Sequence, residues 1–185
     1  MAPTYPSTVP ALLAAIAATD ARAPRLTVGL SETQLYAPPP AGGWSIAQVF
    51  EHLLVSHGLY LDRMRPAIAA APRDPPTQPW RPSLFGRLLI GAVGPDAKRR
   101  LTTARIFEPS LSPRPRVVAA FLEMQQEFAG LLRAAAGLDW RAVRLSSPVS
   151  RFIRLNLGDA FVILVVHAQR HLGQITRIRD ALLES

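Results

Sequence analysis

The chain has 185 residues, 49% of them hydrophobic and 18% charged, which fits one globular domain spanning 1–185 and excludes a disordered polyelectrolyte. It contains no cysteine, so disulfides, thiolate ligands and a cysteine nucleophile are excluded together, and any metal site must use nitrogen and oxygen donors. The net charge of +8 is compatible with an anionic small-molecule partner, but the basic residues are nearly all arginine, scattered as "RMRP", "KRR", "PRPR" and "RFIR" without a long block or an aromatic platform, so nucleic-acid binding is disfavoured.

The N-terminal stretch "MAPTYPSTVPALLAAIAATDARA" has a short apolar run but no basic residue before it, which argues against a secretory signal and for a first helix over about Val9 to Arg22. Leu12, Leu13, Ile16 and Ala17 recur at helical spacing, with Ser7 or Thr8 as the cap. "APPPAGG" then interrupts regular structure until Trp44.

The second helix is the most clearly marked. In "WSIAQVFEHLLVSHGLYLDRM", Ser45 and Gln48 have capping-box spacing, and Trp44 and Val49 stand at the two positions of a hydrophobic staple. Ile46, Val49, Phe50, Leu53, Leu54 and Leu61 form a core-facing stripe, and Pro66 is expected to close the helix. "APRDPPTQPWRP" reads as a stiff surface connection, and "SLFGRLLIGAV" as a short helix.

After another irregular crossing, the third long helix is expected from about Pro115 to Ala136, with Val117, Val118, Phe121, Leu122, Met124, Phe128, Leu131 and Leu132 inside. "VSRFIRL" has room for a brief extended segment. The fourth long helix starts near Asn156 or Gly158 and runs to about Leu183. No apolar stretch reaches the length of about 20 residues that spans a bilayer. The expectation is an all-α four-helix bundle, soluble and cytoplasmic, with no membrane partner and with connections long enough for crossovers.

The chain has only four histidines, and two of them, His167 and His171, lie four apart beside its most apolar run, Phe161 to Val166. That spacing puts both imidazoles on one helix face, about 6 Å apart along the axis, an arrangement that can hold one metal ion. A plainer reading has one ring capping a carbonyl and the other exposed beside Arg170. His52, within the stripe of the second helix, is the candidate third ligand, since metal sites in bundles are built from inward side chains on facing helices. His57 is five residues, about 140°, further round and reads as structural or exposed.

"GWSIAQVFEHLLVSH" (43–57) and "NLGDAFVILVVHAQRHLGQI" (156–175) together resemble the DinB-like family, and most of the chain follows that family in order and spacing. The resemblance implies an up-down-down-up bundle, a homodimer, and a divalent metal on three histidines, which by position are His52, His167 and His171. Zinc, nickel and iron all accept imidazole. Relatives include thiol transferases that use bacillithiol, mycothiol or glutathione, and proteins assigned as hydrolases. The implied activity is therefore a metal-dependent transferase or hydrolase, acting on a small molecule through water or an external low-molecular-weight thiol. Gln174, two turns after His167, can orient a ligand or simply bridge helices. The long proline-rich insertions around 67–82 and 95–115 depart from the better-known relatives and could cover the open end of a site. Glu51 and Asp159 are available carboxylates, but neither is singled out as a general base. The alternative is a non-enzymatic binding or stress-related bundle whose metal is structural or absent.

Overall fold

In the computed structural model, residues 5–73, 76, 78–97 and 102–184 are described; parts of both proline-rich insertions, including the "KRR" at 98–100, lie outside them. Six α-helices are present among the described residues: α1 (Val9–Arg25), α2 (Glu32–Tyr36), α3 (Ile46–Ala70), α4 (Leu84–Val93), α5 (Val117–Ala134) and α6 (Leu157–Leu183). Two short strands, β1 (Arg144–Ser146) and β2 (Arg154–Asn156), pair antiparallel just before α6, with Leu145 opposite Leu155. The bundle itself is α1, α3, α5 and α6, as the four long apolar periodicities require. α2 is too short to show a periodicity and is not legible as a helix in the sequence.

Contacts between side chains give the directions. Arg22 near the end of α1 reaches Thr176 in α6, while Tyr5, just before α1, meets Trp80, which bonds Asn156 at the start of α6. α1 and α6 therefore run parallel. Phe50 packs on Phe121, and Arg73, just past α3, donates to the Ala134 carbonyl at the end of α5, so α3 and α5 also run parallel. The topology is up-down-down-up. Because α3 and α5 point the same way, the chain must travel back along the whole bundle between them. α4 makes that return. Its N-cap Ser83 bonds Asp159, and its C-cap Gly94 lies against Val166 and accepts from Arg170, so α4 runs parallel to α6 on the outside of it.

This placement accounts for the composition of α6. Every residue from Leu157 to Val166 is buried, because α1, α3, α4 and β2 pack around that half of the helix. A helix that is apolar on all sides needs such an enclosure. Phe161 is fully buried between Phe128 (6.0 Å) and Trp140 (5.1 Å).

The two ends of α3 are set by different forces. At its start the capping box is present: Ser45 Oγ accepts from the Gln48 amide at 3.1 Å, and Gln48 Oε1 accepts from the Ser45 amide at 3.0 Å. Ser45→Ala should cost about 1 kcal/mol, or a few degrees in melting temperature, and an unchanged thermal melt would show that tertiary packing alone sets the start of α3. At the other end, Pro66 does not close α3. The helix continues to Ala70 because Pro66 is exposed, where its missing N–H is tolerated, and Ile68 is buried two residues later.

Candidate metal centre

His52 stands on the second turn of α3, and His167 and His171 stand on either side of the middle of α6. α3 and α6 are antiparallel neighbours, so the order 52, 57 on one helix meets 171, 167 on the other. The Nε2 atom of His167 lies 3.3 Å from His52 Nε2 and 3.1 Å from His171 Nε2. One ligand nitrogen from each of the three rings falls within 4.8 Å of the others, and no carboxylate joins the group among the described residues. The structure thus brings together the three histidines expected from sequence.

The other ring nitrogens are fixed from outside the group. His52 Nδ1–H donates to the Phe107 carbonyl at 2.7 Å, and His171 Nδ1–H donates to Gln174 Oε1 at 2.9 Å. Those two bonds set the tautomers, leaving a lone pair on His52 Nε2 and another on His171 Nε2, both directed at His167 Nε2. Hydrogen-bonding oxygens behind ligating imidazoles are the usual support of a metal site. A proton on His167 Nε2 can bond only one of the two lone pairs well. A cation at the shared point satisfies all three nitrogens, so the donor set fits a divalent transition ion.

Of the two sequence-based readings of His57, structural or exposed, the structure keeps the structural one. His57 is neither exposed nor remote: it is 1% exposed, and its Nε2 lies 3.3 Å from His167 Nδ1. The 140° between His52 and His57 is bridged because an imidazole presents its two nitrogens on different edges, and the His167 ring sits between them. When His167 Nε2 acts as a ligand, its Nδ1–H donates to His57 Nε2, which places the His57 proton on Nδ1. That Nδ1 is buried with no hydrogen-bond partner among the described residues.

Phe107 is a second residue that sequence reasoning misses. It ends a 3-10 turn, Arg105–Phe107, in the crossover after α4. Nearby, Gln48 Nε2 donates to the Ser110 carbonyl at 3.5 Å, and Arg114 pairs with the buried Glu51 at 2.9 Å, which pins the crossover to the start of α3. Glu51 is thus committed to an ion pair. Asp159 is committed to helix capping far along α6 from the histidines. Trp44 packs its ring 4.9 Å from the His52 ring and covers that side.

All four imidazoles are held neutral. Burial pushes His57 down to about 3, helped by His52 and His171, and pushes His171 to about 3, helped by His52, Arg170 and Arg177 against the opposing Gln174 bond. Burial and the neighbouring rings and Arg170 hold His167 well below its ordinary value, and burial lowers His52 against the Phe107 bond. Neutral rings are what a cation needs. They also make the metal-free bundle acid-sensitive. Below about pH 6.5 the unfolded chain takes up protons that the folded chain refuses, so stability falls as pH falls toward 3, by up to about 1.4 kcal/mol per pH unit for each fully buried ring. Urea midpoints of chelator-treated protein should hold from pH 7.5 to about pH 6.5 and drop steadily from there to pH 5; a flat profile would mean the rings are hydrated.

His52 is buried, whereas His167 and His171 are only partly so, which leaves an accessible edge at the histidine group. Two surface concavities, of about 340 and 420 Å3, lie elsewhere and contain none of these residues.

Among solved structures, the chain is similar to YfiT from Bacillus subtilis, described as a probable metal-dependent hydrolase with an unusual four-helix bundle topology. The two share 17% sequence identity with a TM-score of 0.58, over 96% of this chain and 89% of that one, which supports the fold. No curated protein matches the chain. The model of the DinB superfamily matches residues 15–175, and the chain belongs to that superfamily.

Proposed function

We propose that this protein is a metal-dependent enzyme in which His52, His167 and His171 hold one divalent transition ion and a small-molecule substrate is hydrolysed beside it. The observation that carries the reading is the pair of lone pairs, on His52 and His171, fixed by Phe107 and Gln174 and aimed at His167 Nε2. The description of YfiT as a probable metal-dependent hydrolase, on the same fold, supports hydrolysis as the reaction class.

When bound, such an ion supplies Lewis acidity that lowers the pKa of a coordinated water or thiol. The chain's own residues do the rest. The Phe107 carbonyl, Gln174 and His57 hold the three imidazoles in their ligand tautomers. Trp44 and the crossover exclude water from one side, and the partly exposed edge of His167 and His171 admits substrate. Three protein ligands with an open side suit a catalytic ion better than a closed structural one. Arg170 and Arg177, close enough to depress His171, favour an anionic substrate. A thiol nucleophile, as in transferases of the family, would have to be external because the chain has no cysteine.

The test is metal content by elemental mass spectrometry on untagged protein, followed by hydrolysis screens with and without the ion found. About one equivalent of zinc, nickel or iron per chain and chelator-sensitive turnover are expected. No metal after reconstitution with each ion would overturn the reading, and tight metal binding without turnover of either water- or thiol-dependent substrates would leave a structural ion.

A further inference from the structure

The end of the bundle where α6 begins carries a surface that the metal site does not use. On α4, Leu84 is 80% exposed, Leu88 67% and Phe85 49%, although the helix packs its opposite face, Gly86 and Ile90, inward. At the tip of the β1–β2 hairpin, Phe152 is 79% exposed and Val149 51%. β2 packs against α4, so the two apolar elements are neighbours. Apolar side chains exposed together on two adjoining elements mark a contact surface.

Charge indicates what covers it. Residues 78–93 and 140–158 contain Arg81, Arg87, Arg141, Arg144, Arg151 and Arg154 and no acidic residue. All six are exposed, and none forms an ion pair among the described residues. The Arg151 guanidinium lies 5.0 Å over the Phe152 ring, so charge and apolar surface are presented together. Arg141 and Arg144 also line the 340 Å3 concavity at the hairpin base, with Gln78 and Asp139.

We propose that this face docks peripherally on an anionic lipid bilayer, with Leu84, Phe85, Leu88 and Phe152 entering the headgroup boundary and the arginines meeting lipid phosphates. Leucines and phenylalanines bordered by cations are the chemistry of interfacial binding. A second copy of the chain fits poorly, because a two-fold contact through this face would bring the same arginines against one another. Nucleic acid would leave the aliphatic Leu84 and Leu88 without a partner. Among the described residues no helix is long and apolar enough to cross a membrane, and a docking face requires none. The proposal does not depend on the metal.

Flotation with vesicles of phosphatidylglycerol and phosphatidylcholine, against phosphatidylcholine alone, tests it. Wild type should float with the anionic vesicles only, and added salt should release it. The double variant Leu84→Ser, Leu88→Ser and the double variant Arg151→Gln, Arg154→Gln should each bind roughly tenfold more weakly. All these residues are exposed, so unchanged circular dichroism and melting temperature are expected alongside. Three outcomes overturn the proposal. One is no flotation, or equal flotation with neutral vesicles. Another is a dimer in sedimentation velocity that the leucine variant dissociates. The third is oligonucleotide binding that survives the leucine variant and displaces the vesicles.

Discussion

Replacing His167 by alanine is expected to abolish stoichiometric metal binding, and replacing His57 by leucine to weaken it by about 10–100-fold without removing a proposed ligand. The two variants act at different places. His167 Nε2 is the atom toward which His52 and His171 converge, so its loss leaves two nitrogens and no centre. His57 touches only the far nitrogen of His167, where it receives the Nδ1 proton that must be present when Nε2 is a ligand. Leucine cannot accept that proton. His57→Gln offers a carbonyl oxygen in its place and should restore most of the affinity.

A packing role for His57 would look different. Its Nδ1 is a buried polar atom with no partner among the described residues, so His57→Leu removes one unsatisfied group while leaving His167 Nδ1 without its partner, and should leave the metal-free bundle about as stable as wild type. Metal affinity from chelator competition should therefore fall while the urea midpoint of the metal-free protein holds. Equal affinity in His57→Leu and wild type would reduce His57 to filler. Stoichiometric metal in His167→Ala would refute the three-histidine site itself.

How far the sequence carries the fold depends on whether the determining interactions are local. The Ser45–Gln48 box, the Asn156 start of α6 and the spacing of His167 and His171 are set by residues three or four apart, and all are legible. Pro66 misleads because the tolerance of proline depends on which face meets solvent, and only the docked bundle shows that. The unbroken apolar run at Phe161 to Val166 is visible, but its cause is not: α4 and the hairpin close over the outer side of α6, and nothing local announces that contact. The candidate site divides in the same way. His52, His167 and His171 can be named because two are spaced for one face and the third lies in a core stripe. Phe107 contributes a backbone carbonyl from 55 positions away, for which no side chain gives a signal. The helical angle sets His57 apart from His52. That angle is correct and keeps His57 out of the ligand group; what it cannot show is that the ring between the two histidines belongs to another helix.

The largest stability effect is expected at Asp159→Ala. This carboxylate is fully buried at the start of α6, where its two oxygens accept from the Ser83 amide (3.0 Å), the Ser83 hydroxyl (2.6 Å) and the Asn156 amide (3.0 Å). Asn156 in turn accepts from the Asp159 amide and from the Trp80 indole, both at 2.8 Å. One residue thus completes the cap of α6 and holds the cap of α4. The fit around it is close: a side-chain carbon on Gly86 would fall 2.2 Å from the Asp159 carboxyl. Alanine would leave three donors without acceptors, the Asn156 amide buried and the two of Ser83 part-buried, a loss of about 3–5 kcal/mol, or roughly 10 °C or more in melting temperature for a chain of this size. Asp159→Asn should cost less. Its oxygen can keep the two donors at one position, while its amide opposes only the Ser83 N–H at the other. Thermal melts of the pair should therefore rank wild type, then asparagine, then alanine. Metal affinity gives the second readout. α4 begins the crossover that ends with the Phe107 carbonyl on His52, so releasing its first turn should also weaken the metal site, though Asp159 lies more than a full turn from any histidine. Lower stability with unchanged metal affinity would show that the later anchor of the crossover, Arg114 on Glu51, positions Phe107 by itself.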